Sequence, residues 1–182
     1  MSSKSKLITS TVYMKVTKKS IGMTVHISRR QFLRGDVQGK HAPIRPPWSQ
    51  QEDLFLTRCT TCGDCVENCP EVILKKDVGG YPLIDFHLGE CSFCEICMES
   101  CKSNAFSHTE SPWRLSLFIS DDCLAQKGVV CSVCAEQCET RAIRFKPVVG
   151  SVSVPNVVAD LCTGCGACIK PCPETALSLS YQ

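Results

Sequence analysis

No apolar run in this chain of 182 residues is long enough to cross a bilayer. The longest, residues 115–119 and 152–158, fall far below the roughly 18 residues a spanning helix needs, so direct membrane insertion is not expected. The residue arrangements of substrate chemistry are missing as well. There is no serine–histidine–acid or cysteine–histidine nucleophile pattern, no phosphate-cradling glycine loop and no pair of acids in a recognisable setting, so the chain is not expected to be an enzyme. An export signal is also incomplete. Ser28-Arg29-Arg30-Gln31-Phe32-Leu33-Arg34 looks like a twin-arginine signal, but the apolar stretch of about 7–15 residues that should follow is absent. In its place stand Gly35-Asp36-Val37-Gln38-Gly39-Lys40-His41, then Pro43, Pro46 and Pro47. A short basic amphipathic helix, with Ile27, Phe32 and Leu33 on its apolar face, is the expectation here, and a cytoplasmic location for the protein.

What the chain does hold is cysteine: sixteen, in four sets of four with none left over. Cys59, Cys62, Cys65 and Cys69 form C-x2-C-x2-C-x3-C, followed by Pro70. Cys91, Cys94, Cys97 and Cys101 repeat the spacing without the proline. Cys123, Cys131, Cys134 and Cys138 repeat it with seven residues, 124–130, in the first interval. Cys162, Cys165, Cys168 and Cys172 restore it, with Pro173 next. This is the spacing of a [4Fe–4S] cluster site of bacterial ferredoxin type.

The chemistry explains the pattern. Each iron of the cube takes one thiolate, a soft anionic ligand. Three cysteines spaced by two residues curl round one corner of the cube in a tight loop, and Gly63, Gly164 and Gly166 sit where that loop must turn. In two-cluster proteins the fourth cysteine ligates the other cluster, so each module needs two motifs. Disulfides fit poorly, because cysteines in close triplets suit a metal and no working export signal is present. Structural zinc uses C-x2-C pairs and has no role for a third cysteine at the same spacing. Up to four [4Fe–4S] clusters, held by all sixteen cysteines, are therefore expected. His87 and His108 lie near motifs whose ligand sets are already full, and Trp48 and Trp113 read as packing anchors. Proline after the fourth cysteine predicts short helices over residues 71–74 and 174–177, since proline suits the first helical position.

The formal charge of +2 conceals an asymmetry. Residues 1–48 carry ten Lys or Arg against Asp36 alone, a basic leader of +9 expected to be partly disordered. Residues 49–182 carry ten basic against seventeen acidic residues, an acidic body of −7 for which no nucleic-acid partner is expected. Motif starts fall 32, 32 and 39 residues apart, at Cys59, Cys91, Cys123 and Cys162. Between them lie strand-like stretches over 81–86, 114–119, 143–145 and 152–158, with turns at Gly79-Gly80 and Gly150-Ser151. The fold class is α+β: two ferredoxin-like modules of short helices and small antiparallel hairpins around four clusters (motifs 59–69, 91–101, 123–138 and 162–172). Linker lengths do not decide which motifs pair. The outer motifs, CTTCGDCVENCP and CTGCGACIKPCP, resemble each other, and the inner two lack the proline. Nested pairing, first with fourth and second with third, is the expectation.

Ser28-Arg29-Arg30, then Ile44-Arg45-Pro46-Pro47-Trp48, then four motifs with a long first interval in the third, together resemble the NapF family of ferredoxin-type proteins, which accompany bacterial periplasmic nitrate reductase. The resemblance covers about residues 23–182. It implies a cytoplasmic iron–sulfur accessory protein that binds the catalytic subunit of that reductase before export and assists its maturation, with the sixteen cysteines as its functional residues. Resemblance to four-cluster electron-transfer subunits of molybdenum oxidoreductases also implies the nested pairing. The competing expectation is an electron-transfer subunit or soluble polyferredoxin that passes electrons to a respiratory reductase.

Overall fold

The structure, a computed structural model, describes residues 43–108 and 111–182. The expected basic helix near Arg29 and Arg30, and any disorder of residues 1–42, lie outside the described residues. Among those described, no helix is long and apolar enough to cross a membrane.

Each half of the body is organised by a hairpin between two cysteine motifs. In the first half, β1 (Leu74–Lys76) and β2 (Pro82–Ile84) pair antiparallel, with Leu74 opposite Ile84. Gly79-Gly80 forms the turn as expected, and the Asp77 carboxylate accepts the N–H groups of Gly79 and Tyr81 at 2.7 and 3.1 Å. In the second half, β4 (Ile143–Lys146) pairs with β5 (Val154–Val157) across the Gly150-Ser151 turn. A third sheet closes this half: β3 (Leu115–Ile119) precedes its first motif, β6 (Leu177–Tyr181) follows its second, and the two pair antiparallel over their full length. The first half has only a single bridge at the same place, Ser49 with Phe106.

The helices are short. The longest, α1 (Glu52–Arg58), has acids in its first turn and Arg58 in its last, as the helix dipole favours, and buries Phe55 completely. Single turns α2 (Asp64–Glu67), α3 (Ile96–Glu99) and α4 (Val133–Glu136) each carry the third cysteine of a motif.

The helices expected over 71–74 and 174–177 are absent. Pro70 and Pro173 instead occupy the second position of tight turns, in which Val72 N–H donates to Cys69 C=O (3.1 Å) and Thr175 N–H to Cys172 C=O (3.3 Å). Proline's fixed φ suits that position as well as a helix start. The residue three beyond each fourth cysteine then takes a left-handed conformation, which ends any helix: Val72 (φ 54), Asn104 (54), Arg141 (53) and Thr175 (48). For β-branched Val72 and Thr175 this is costly. Left-handed strain of about 1–2 kcal/mol exceeds the roughly 0.5–1 kcal/mol that glycine loses in chain entropy. Val72, 70% exposed, has little packing to lose. Val72→Gly is expected to leave the protein as stable or up to about 1 kcal/mol more stable, read as the temperature of cluster loss under anaerobic heating; a clear loss of stability would contradict the assignment of strain.

The leader was expected to extend through residue 48, but residues 44–48 belong to the body. Arg45 is 4% exposed and lies between the rings of Phe55 and Tyr81. Its guanidinium donates to the Glu52 carboxylate (2.7 Å), the Asp77 carboxylate (3.3 Å) and the Pro82 carbonyl (2.9 Å). Those anions hold its pKa above the ordinary value, although burial alone would lower it. Ile84 N–H donates to the Ile44 carbonyl (2.8 Å). The same segment reaches the second half: Arg45 N–H donates to the Tyr181 hydroxyl (3.0 Å) and Trp48 N–H to the Pro112 carbonyl (2.7 Å).

The apolar core is thin and threaded with thiols. Ile73, Leu74, Ile84, Phe86, Leu115, Ile143, Ile169 and Leu177 pack around Cys65, Cys97, Cys134 and Cys168, the third cysteine of every motif.

Candidate metal centres

The sixteen cysteines gather into four sets, and each set draws three members from one motif and the fourth from another. Cys59, Cys62 and Cys65 line one open hollow together with Cys101. Cys91, Cys94 and Cys97 line another with Cys69. Cys123, Cys131 and Cys134 share a third with Cys172. Cys162, Cys165 and Cys168 form the last set with Cys138, whose charge acts on Cys162. Exchange of the fourth cysteine between partner motifs is as expected; the identity of the partners is not. The first motif pairs with the second and the third with the fourth, so the nested arrangement is corrected to a sequential one.

The hairpins supply the reason. The linkers from first to second motif and from third to fourth both contain a hairpin that returns the chain to its starting point. The linker from second to third holds β3, whose partner is β6. Proline carried no pairing information, because Lys102 and Glu139 occupy the same turn position as Pro70 and Pro173 and lead to the same left-handed residue.

Backbone geometry brings donors to the sulfurs. Ala142 N–H donates to Cys138 Sγ at 3.2 Å and Ala176 N–H to Cys172 Sγ at 3.4 Å, each four residues beyond its cysteine. Ser103 Oγ lies 3.3 Å from Cys101 Sγ, and Thr140 Oγ1 3.5 Å from Cys138 Sγ. Burial works to raise the Cys101 and Cys138 thiols, but these hydroxyls and the neighbouring backbone N–H groups outweigh it and hold both below the ordinary value. Such donors stabilise a thiolate and tune any cluster bound to it. The third cysteines behave oppositely. Burial, reinforced by neighbouring thiols of the same and the adjoining set, pushes Cys65 and Cys134 up to about 11 and Cys97 and Cys168 up to about 12.

These features fit a [4Fe–4S] cube. The donors are thiols, four to a set, three of the sets line a hollow, and Cys101, Cys138 and Cys172 have N–H or hydroxyl groups beside their sulfurs. Among the described residues no three Cys, His, Asp or Glu side chains converge on a single ion, whereas a cube takes one thiolate at each iron and needs no common point. The 124–130 insertion folds as a compact turn in which Lys127 N–H donates to the Cys123 carbonyl and Val129 N–H to Leu124, with Ala125 buried. It leaves Val130 84% exposed beside Cys131. His108 faces Glu95 at 3.6 Å and the Trp48 ring. The donors that sequence reading missed are Ser103 and Thr140; a hydroxyl two residues after the fourth cysteine was the available signal.

Sequential pairing makes a direct prediction. Cys101→Ala is expected to abolish the iron held with Cys59, Cys62 and Cys65, and Cys172→Ala that held with Cys123, Cys131 and Cys134, each variant retaining about three-quarters of the wild-type iron. Partner assignment by Mössbauer or EPR on the variants is the check. Nested pairing would instead tie Cys172→Ala to the Cys59–Cys65 loop.

Comparison with known proteins agrees with this chemistry. The 4Fe-4S binding domain family matches residues 155–178, which contain Cys162, Cys165, Cys168 and Cys172. The chain is 42% identical over 161 residues to the ferredoxin-type protein NapF of Escherichia coli K12, across 87% of this chain and 98% of that protein. Its counterpart in Haemophilus influenzae is 40% identical over 170 residues, 87% of this chain and 97% of that one. A methylamine utilization ferredoxin-type protein, MauM of Methylobacillus flagellatus, is 34% identical over 148 residues, 71% of this chain and 63% of its own.

Proposed function

Because the chain belongs to the NapF family of ferredoxin-type proteins, and so binds [4Fe–4S] clusters, we propose that it is a four-cluster cytoplasmic accessory protein of periplasmic nitrate reductase. In this reading it is two ferredoxin-like modules with all sixteen cysteines as ligands. It binds the catalytic subunit before that subunit is exported, and assists its maturation by supplying electrons. The clusters, when bound, supply one-electron redox chemistry. The chain's own residues hold the sulfur ligands, surround them with N–H and hydroxyl donors, and keep the third thiol of each set out of water.

The observation that carries this reading is the extent of the likeness. It spans 98% of the E. coli relative, and so is not confined to the cysteine motifs that many proteins share. The acidic residues 49–182 and the basic residues 1–48 give a partner two stretches of opposite charge, and no residue group suited to substrate chemistry competes with an electron-carrier role.

The test is anaerobic capture of the full-length holoprotein from cells grown on nitrate. Recovery of the unprocessed catalytic subunit is expected, and Arg29→Ala with Arg30→Ala should weaken it. The attraction should fade as salt shortens the Debye length from about 10 Å at 0.1 M. A deletion strain should yield less active reductase. Mature protein in the periplasm would overturn the location, and a normal yield of reductase in the deletion strain would favour the alternative, a carrier that passes electrons to a respiratory reductase.

A further inference from the structure

We propose that the four thiol sets lie in one line that crosses between the halves at a single joint, the hydrogen bond from Cys91 N–H to the Cys165 carbonyl. The order is the set of Cys59, Cys62, Cys65 and Cys101, then that of Cys69, Cys91, Cys94 and Cys97, then that of Cys138, Cys162, Cys165 and Cys168, and last that of Cys123, Cys131, Cys134 and Cys172. The inference rests on the reading above that these sets hold clusters, and it adds the way they are connected.

Within each half, the two sets are neighbours because each lends the other its fourth cysteine. Between halves, the ligand loops of the second and fourth motifs meet. Cys91 N–H donates to the Cys165 carbonyl at 2.8 Å, so a ligand of one set is bonded to the backbone of a ligand of the other. Trp113 spans the same joint. Its Nε1–H donates to the Thr163 carbonyl (3.0 Å), between Cys162 and Cys165. Its ring meets Phe93, between Cys91 and Cys94, edge-on with centroids 5.7 Å apart. Phe86, at the end of the first hairpin, lies against Gly166, between Cys165 and Cys168, and meets Trp113 at 6.0 Å. The 44–48 segment braces the joint from the side, through Arg45 N–H to Tyr181 and Trp48 N–H to Pro112. Nested pairing would have interleaved the halves; sequential pairing leaves this one crossing.

Two double variants of the full chain decide the order. Cys62→Ala with Cys131→Ala removes both end sets and leaves the middle pair. Cys94→Ala with Cys165→Ala removes the middle sets and leaves the ends. After anaerobic reconstitution each should hold about eight irons per chain, and the wild type about sixteen. On full reduction the first variant is expected to show a spin-coupled EPR spectrum, broadened by the neighbouring paramagnet. The second should show two independent signals, because dipolar coupling falls with the cube of distance. Independent signals from the middle pair, or coupling between the ends, would overturn the line. If a double variant fails to retain eight irons, the single variants decide. Cys62→Ala should leave three coupled sites, and Cys94→Ala one isolated signal beside a coupled pair; the reverse would overturn the order. Wild-type protein without iron and sulfide would overturn the cluster reading itself.

Discussion

Removing the iron anaerobically with a chelator is expected to unfold the body, with loss of its circular dichroism and of protease resistance together. The reason is the composition of the core. The eight aliphatic and aromatic side chains of its main buried cluster are interrupted by Cys65, Cys97, Cys134 and Cys168, so the thiols are structural members of the interior, and the clusters proposed above would be their cross-link. A structural metal site contributes on the order of 10 kcal/mol in small zinc domains, against a net stability of about 5–15 kcal/mol for a typical domain. Loss of one site is enough to matter, and loss of all leaves little to hold the chain. The pH dependence has two opposite arms. Burial raises the third thiols from an ordinary 9.0 to about 11 or 12, so near neutral pH each must release a proton to bind iron. Iron retention should therefore weaken as pH falls. Any folded cluster-free chain has the reverse sign: protonated buried thiols contribute stability below about pH 9, and that contribution disappears as pH rises through 11 to 12. Cluster-free protein with native circular dichroism would show that the apolar residues suffice.

Gly166→Ala is expected to cost about 2–5 kcal/mol, from left-handed backbone strain of about 1–2 and overpacking of about 1–3. Gly166 has φ +82, and a methyl group there would fall on the Phe86 ring, itself 5% exposed and in contact with Trp113. The ring is packed within the apolar core, and Gly166 lies between Cys165 and Cys168. The measurable result is a fall in iron content and a lowered temperature of cluster loss. Phe86→Leu combined with Gly166→Ala should restore part of the stability, since the smaller side chain gives back the space but not the backbone freedom. A silent Gly166→Ala would mean that the two halves do not pack as described.

The cofactor chemistry was the most legible property of the sequence, because ligand spacing along a short loop is a local constraint. The two hairpins were legible for the same reason: Gly79-Gly80 and Gly150-Ser151 turn wherever they stand. What was lost depended on distant parts of the chain. Strands β1 and β6 follow the fourth cysteines, where proline suggested helix; the left-handed Val72 and Thr175 that redirect the chain are residues with no preference for that conformation. The partner of each motif was decided by which linkers hold a hairpin, and likeness between outer motifs was the wrong guide. Arg45 and Trp48 read as the end of a leader because basic residues dominate that stretch, yet Arg45 is neutralised by Glu52 and Asp77, separated from it in sequence and joined to it only by folding.

The antiparallel pairing of β3 with β6 has a consequence for the order in which the protein can be made. Residues 59–101 contain every member of the first two thiol sets, so the emerging chain holds both complete before Cys123 is made. The other half cannot do this. Its set at Cys123 waits for Cys172, and its sheet waits for Leu177–Tyr181, the last strand in chain order among the described residues. Tyr181 is also the hydroxyl that receives Arg45 N–H. Synthesis thus makes the first half's thiol sets available before those of the second half, which close only when β6 is in place, so that strand is the checkpoint of the second half's assembly.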